Sequence, residues 1–555
     1  MSEERFEGGP PSSALSRRAF LGRVGGAAAA AVAAQAIGPI GPVAGPAVAR
    51  AAEVGPLTPA QRRVAARRVR IDAADLAFGR PHPDQRCNGE EDDYGKTRIA
   101  NFSKGLPHNA RGEVDRAAYN RFLDALKSGD FDDFERIPLG GDRPLRNPLA
   151  GLAFELEGPD GHQPSVRAAP RIDRPQNSAE AAELYWMALA RDVRFTDYDS
   201  SPLIERAARD LSRFSDFRGP KRGRKVTPQT IFRGDTAGDL AGPYLSQFLL
   251  RDIPYGSLAI SQRQQTVVPG MDYMTGYADW LAIQRGISPS QGDLFDAIPR
   301  YIRNGRDLGQ YVHIDALYEA YLNACLILLG IGAPFDRGNP YNDARKQDGF
   351  ATFGGPHILS LVTEVATRAL KAVWYQKWFV HRRLRPEAFG GRVHNQLIGA
   401  ATYPIDREIL SSDAVDATRA RYGTFLLPQA FPEGSPIHPS YGAGHATVAG
   451  ACVTILKAWF DASYVLPNPV VPSADGLALV PVQTSPLTVG GELDKVAANI
   501  SFGRNFAGIH WRSDYSESVK LGEAIAIGVL EEQKATYAED HSLTLIRFDG
   551  TKVTI

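Results

Sequence analysis

Three short stretches in the last third of the chain set histidine beside arginine or lysine: KWFVHRRLRPE (377–387), HPSYGAGH (438–445) and RNFAGIHWRSD (504–514). They offer Lys377, Arg385 and Arg504 as cations and His438, His445 and His510 as imidazoles. In the first stretch Lys377, His381 and Arg385 recur every fourth residue, so on a helix all three lean to one side over two turns. Pro386 disfavours helix at Arg385, which leaves that guanidinium at a helix terminus, able to turn into a pocket. Arginine presents a planar fork to an oxyanion and lysine a compact charge. In the second stretch Pro436 and Pro439 hold the chain extended, and Gly442 and Gly444 permit tight backbone geometry. The apolar run that follows is a helix, and its first free N–H groups face whatever lies before Gly444. His445 is placed for acid/base work, with His438 behind it. In the third stretch Asp514 lies four residues after His510, close enough to orient the imidazole. Arg504 is off that face for an unbroken helix, and Gly508 can supply the break that lets Arg504 and His510 converge. Each stretch alone also fits a plain structural reading, as a solvated basic face, local caps or a core histidine. Together they suit a tetrahedral or trigonal-bipyramidal oxyanion of high charge, phosphate or vanadate. A soft-metal site does not fit, because there is no thiolate cluster.

These residues need elements to hold them. Residues 52–175 mix short helical patterns with loops rich in Gly, Pro and Asp. Helical periodicity then strengthens in SAEAAELYWMALARDV (178–193) and DALYEAYLNACLILLGIG (315–332). HILSLVTEVATRALKAVWYQKWFVHRR (357–383) is apolar over much of its surface and reads as a buried bundle helix. GHATVAGACVTILKAWF (444–460) and SESVKLGEAIAIGVLEEQKATYAE (516–539) read as two more helices. LTLIRFDGTKVTI (543–555) reads as a hairpin on an Asp-Gly turn. The expected fold is mainly α, with helical bundles forming one large compact body and a small C-terminal β-hairpin. We divide the chain into a cleaved signal (1–51), an N-terminal helical and loop region (52–300), a C-terminal bundle carrying the oxyanion site (301–540) and the hairpin (541–555).

Bulk properties narrow the function. With 63 Lys plus Arg against 63 Asp plus Glu in 555 residues, nothing favours nucleic acid or anionic membrane, so any anion site must be local. Cys87, Cys325 and Cys452 make neither a disulfide framework nor a thiolate metal knot, and the last two lie in apolar helical runs. Ser16-Arg17-Arg18-Ala19-Phe20-Leu21, an alanine-rich stretch and Ala49-Arg50-Ala51 form a twin-arginine export signal with a cleavage site. The mature protein is therefore expected to be soluble and periplasmic or extracellular. FDRGNPYNDARKQDG (335–349) offers Asp336, Asn339, Asn342 and Asp343 either to a structural calcium or to a solvated loop, and its spacing matches no standard calcium loop.

The three stretches, together with PQTIFRGDTAGDLAGPYLSQFLL (228–250) and NGEEDDYGKTRIANFSKGLPHN (88–109), resemble the vanadium-dependent haloperoxidases, most closely the red-algal bromoperoxidase type. The resemblance covers most of the mature chain. It implies an all-α protein holding vanadate, with His510 bonded to vanadium. Lys377, Arg385, Arg504 and the Gly444 amide would hold the oxygens, and His445 would be the acid/base. His438 resembles an extra histidine of the bromoperoxidases. The family's usual serine before Gly-His is Ala443 here, one hydrogen bond fewer to the anion. The implied reaction uses hydrogen peroxide, activated on a Lewis-acidic vanadium with help from Lys377, to oxidise halide (bromide or iodide) to a hypohalous acid equivalent that halogenates a small organic acceptor. A homo-oligomer is also implied. Two alternatives stand beside this one. One is a phosphatase on the same pocket, with His510 as nucleophile, Asp514 its orienter and His445 the leaving-group acid. The other is a secreted homologue that has lost catalysis.

Overall fold

The longest apolar stretches fold as the central helices of the body. In the computed structural model, which describes residues 55–555, α6 (Gly444–Trp459) is buried at every position except His445. A sequence apolar on all sides has no solvent face to offer, so it becomes the axis on which other helices pack. Against it lie α4 (Gly355–Tyr375), α7 (Val489–Phe506) and α8 (Arg512–Lys534). Three further helices line up with these: α1 (Pro175–Leu189), the short α2 (Gly305–Tyr311) and α3 (Glu319–Gly330). The helix α5 (Pro386–Leu397) starts on the proline that ends the first stretch. Val362, Val365, Ala449, Val453, Val496, Phe506, Val519 and Ile525 belong to one continuous core.

The crossing of α6 and α8 is unusually close, and two glycines make it so. A Cβ on Gly450 would stand 2.1 Å from the Val519 carbonyl oxygen, and one on Gly522 would stand 1.9 Å from that of Thr447. Cys452 donates to the Val362 carbonyl of α4 at 3.1 Å, a thiol used as a core group. Cys325 and Cys452 are buried and free, and Cys87 is exposed.

Among the described residues, strands are confined to three antiparallel hairpins: β1 (Ile253–Tyr255) with β2 (Leu258–Ile260), β3 (Val470–Pro472) with β4 (Leu479–Pro481), and β5 (Thr544–Ile546) with β6 (Lys552–Thr554). The last is the expected terminal hairpin, with Gly550 at φ 82° in its turn and Thr544 opposite Thr554. The mainly α expectation holds. Several boundaries differ by a few residues, and two matter for the site: the helix expected over 357–383 ends as α-helix at Tyr375, and the one expected over 516–539 starts earlier, at Arg512.

Residues Ala65–Ile555 form one compact unit, and of Met1–Val64 only 55–64 are described. The expected export signal at 1–51 lies outside the described residues. Among the described residues no helix is long and apolar enough to cross a membrane. None of them forms a group of three or more His, Cys, Asp or Glu placed to hold a metal ion. In the loop considered for calcium, Asp336 Oδ1 accepts from Gly338 N–H, Asn339 Oδ1 accepts from Tyr341 N–H, and Asn342 Nδ2 donates to the Asp336 carbonyl. Those polar atoms are spent on shaping the loop.

The α6–α8 contact generates a prediction. Gly522→Ala should destabilise the protein by about 2 kcal/mol, the cost of overpacking a contact that cannot relax. A thermal or denaturant midpoint unchanged from wild type would refute that account of the crossing.

Candidate active site

The cations of the three stretches meet at the ends of helices. After Tyr375 the chain widens into a π turn over Gln376–His381, and Arg382 then takes φ 41°. This irregular exit, with Arg385 at the position before α5, replaces the expected unbroken helix face. It turns Lys377 and Arg385 onto the same loop. Lys377 Nζ donates to the Pro439 and Ser440 carbonyls at 2.9 and 3.0 Å, and Arg385 Nε donates to the His438 carbonyl at 3.0 Å. His381 takes another direction. Its ring packs edge-on to Tyr441, and neither ring nitrogen has a hydrogen-bond partner.

Arg504 and His510 converge because α7 stops between them. Gly508 sits at φ 84°, and the Ile509 N–H closes back on the Arg504 carbonyl at 3.0 Å. Glycine is required there by φ, and a Cβ would also stand 2.5 Å from Gln429 Nε2 and displace that amide. Arg504 Nη1 donates to the Val312 carbonyl at 2.7 Å, and its Nε has no partner. Asp514 is the third residue of α8, while His510 lies outside that helix. The carboxylate reaches back, with Oδ2 2.8 Å from His510 Nδ1 and 3.1 Å from the Trp511 N–H. The expected pair forms, through a helix start and not along a helix face.

The electrostatics follow from depth. Lys377, Arg385 and His510 are at most 2% exposed. Burial, then Arg385, hold Lys377 well below the usual lysine range. Burial draws Arg385 down to about 9. Arg504 is also lowered, by burial. His510 is held well below the ordinary imidazole range by burial and then by Arg385, Lys377 and Arg504. His438 is lowered in the same way by burial, Lys377, Arg385 and His510. Both imidazoles are therefore neutral. With Nδ1–H committed to Asp514, His510 presents the Nε2 lone pair to the cations, and Arg385 Nη1 lies 3.0 Å from it. Arg385 Nη2 lies 2.9 Å from His438 Nδ1. Trp374 walls this side, 4.8 Å from the His438 ring and 5.7 Å from Lys377 Nζ.

The fourth side is the start of α6. Ala443 is its N-cap residue and supplies no side-chain cap. The leading N–H groups of Gly444 and His445 thus have no local acceptor. His445 Nε2 lies 3.0 Å from Asp315 Oδ2. Residue types alone did not single out Asp315, because its partner is far along the chain. Two more groups went unseen for the same reason. Arg383 Nη1 donates to Asp514 Oδ1 at 2.8 Å, and the Ser440 hydroxyl donates to Asp514 Oδ2. The structure thus gathers Lys377, Arg385, His438, Ala443, Gly444, His445, Arg504, His510 and Asp514 in one place.

The cage fits an oxyanion such as vanadate. Lys377, Arg385 and Arg504 give their hydrogen bonds to backbone carbonyls and neutral rings, one guanidinium N–H has no partner, and a helix start lies alongside. Buried charges with no carboxylate in direct contact ask for an anion. A cavity of about 1000 Å³ lies elsewhere, between the terminal hairpin and the start of α7, and it holds none of these cations or imidazoles. Chemistry, not volume, locates the site.

Comparison with known proteins agrees. Residues 358–539 match the profile of a VCPO second helical-bundle domain. The chain is 40% identical to the vanadium-dependent bromoperoxidase of Corallina pilulifera, over 88% of this chain and 97% of that one. It is 35% identical to that of Ascophyllum nodosum, over 84% and 87%. The homohexameric structure of the second vanadate-dependent bromoperoxidase of Ascophyllum nodosum superposes with a TM-score of 0.87 at 30% identity, covering 93% of this chain and 94% of that chain. On this likeness over nearly its whole length, the chain belongs to the vanadium-dependent haloperoxidases.

Proposed function

We propose that this enzyme oxidises halide with hydrogen peroxide at a vanadate held in the cage, with bromide or iodide as the halide and a small organic molecule as acceptor. The observation that carries the reading is the convergence of three buried cations on one neutral imidazole whose Nε2 lone pair points among them. Lys377, Arg385 and Arg504, with the Gly444 N–H, would hold the anion's oxygens, and His510 Nε2 would bond the metal. Bound vanadate supplies Lewis-acid activation of peroxide.

The chain's own groups do the rest. Asp514, braced by Arg383 and Ser440, fixes the His510 tautomer and ring orientation. Lys377 adds positive charge where the peroxide oxygens would lie. His445, with Asp315 behind it, is placed to pass the proton that halide oxidation consumes. His438 accepts from Arg385 and so sets that guanidinium's angle.

The homohexamer named for the structural relative supports a homo-oligomer here. The arginine pair and alanine-rich stretch at the N-terminus support twin-arginine export. The full-length bromoperoxidase relatives do not favour the phosphatase reading.

Three measurements test this function. Protein reconstituted with orthovanadate should brominate a phenol dye only when both peroxide and bromide are present. Cleavage of p-nitrophenyl phosphate without halide oxidation would sink the assignment. Ala443→Ser should tighten vanadate binding, since a hydrogen bond to a charged group contributes about 1.5–3 kcal/mol, or ~10- to 100-fold in affinity. Unchanged affinity in titration calorimetry would mean that the residue-443 side chain does not face the anion. Finally, an anion in the cage offsets the burial that depresses Lys377, so binding should take up protons, and affinity should fall as pH rises through the lowered value of the empty site. Calorimetry of phosphate binding in buffers of different ionisation enthalpy reads that uptake, and proton release would contradict it.

A further inference from the structure

The segment Val312–Asp315 opens the connection from α2 to α3 without regular backbone, yet it touches the cage at both ends. The Val312 carbonyl accepts from Arg504, and Asp315 meets His445. Between these two contacts sits His313. Its Nε2 lies 2.9 Å from Glu433 Oε1, while its Nδ1 makes no hydrogen bond and has the Asp293 carboxylate as an ion-pair neighbour, Oδ2 3.5 Å away. Its ring stacks on Phe431, with centroids 3.8 Å apart and planes within 5°. The Arg504 guanidinium carbon lies 5.3 Å from the centroid of the same Phe431 ring. Arg504, Phe431, His313 and the two carboxylates therefore form one connected cluster at the rim of the site.

The groups around the cluster support an ionic clasp. Asp293 Oδ1 also accepts from the Tyr273 hydroxyl at 2.9 Å. The Glu433 carbonyl oxygen accepts from Lys104 and Arg143, which pins that residue's backbone. Arg504 is the cation that opposes a charge on His313.

We propose that His313 is a positioning residue for the halide-oxidising site: gripped by Asp293 and Glu433, it fixes the Val312–Asp315 segment so that Asp315 seats His445 and the Val312 carbonyl and Phe431 seat Arg504. His313 itself touches no substrate. The proposal rests on reading the cage as the oxyanion site.

The clasp has a defined sign with pH. Burial disfavours the imidazolium, but the carboxylates of Asp293 and Glu433 beside the ring outweigh it and raise the pKa of His313. A raised folded value means the clasp is complete at and below the ordinary imidazole range of about 6.5. It is lost as pH rises through the higher folded value. The alkaline limb of the rate profile should therefore carry its signature.

The test uses the full chain as wild type, His313→Gln and Glu433→Gln. Affinity for orthovanadate and, separately, for inorganic phosphate is measured by titration calorimetry, and kcat for bromide oxidation is followed against pH. His313→Gln should weaken both anions about 10-fold, the scale on which supporting groups act on a ligand site, and should abolish the alkaline limb. Glu433→Gln, nearly isosteric, should shift that limb to lower pH. A lowered melting temperature with unchanged anion affinity and an unchanged profile would show a merely structural histidine and overturn the proposal. Should His313→Gln fail to fold, Glu433→Gln decides, and an unmoved limb with it overturns the proposal too. Wild type that binds both anions but oxidises no halide would overturn the functional reading alone, since the affinities of the variants still judge the clasp. Wild type that binds neither anion overturns both.

Discussion

Positive charge buried with no carboxylate in direct contact is the constraint around which this molecule is arranged. Lys377, Arg385 and Arg504 lie in dry surroundings, and their hydrogen bonds run to the carbonyls of Pro439, Ser440, His438, Ile509 and Val312 and to two neutral rings. Carbonyl dipoles soften the cost of burial without cancelling charge. The nearby carboxylate of Asp514 is already committed to His510, Arg383, Ser440 and the Trp511 N–H. The fold thus holds cations in an expensive state, and an anion is what relieves it.

That requirement explains why the reacting groups sit where helices stop. A helix interior satisfies its own backbone and has no free carbonyl or N–H to lend. The π turn at Gln376–His381, the uncapped start at Ala443, the left-handed Gly508 and the irregular Val312–Asp315 segment each break a helix and free such groups. The rigid part lies behind them. α6 and α8 cross at glycine contacts so tight that neither helix can slide, and the helix ends are held by the bodies of the helices.

How much of this the residues reveal unaided depends on whether the relevant partners are near in sequence. α6 is legible because its composition is apolar on every side, and the terminal hairpin because Asp549-Gly550 has a local turn chemistry. The cations and imidazoles are legible because three compact stretches hold them. α7 is not, although it carries Arg504. Gly490 and Gly491 near its start and a mixed run of Ala, Asn and Ser hide a helix that is buried over most of its length. The first stretch shows the right residues with the wrong cause, since its four-residue spacing mimics a helix face that the π turn replaces. Asp315, Arg383, Ser440 and His313 act through partners distant along the chain, and nothing in their local spacing marks them.

Ala443 shows how one missing hydroxyl can tie ligand to fold. A helix start normally takes a Ser, Thr, Asp or Asn whose side chain accepts an N–H of the first turn, and loss of that cap costs about 1 kcal/mol. Here the Ala443 N–H is itself turned to Ser518 Oγ at 2.8 Å, and α6 begins with no side chain on its leading amides. Those amides stand at the positive end of the helix dipole, beside His445. An anion placed there is at once the counter-charge for Lys377, Arg385 and Arg504 and the cap for the most buried helix of the protein. The same binding free energy then adds to the stability of the core, in proportion to the logarithm of anion concentration over its dissociation constant. In this chain the site and the scaffold are not separate parts: the central helix is left unfinished at the end where the ligand belongs.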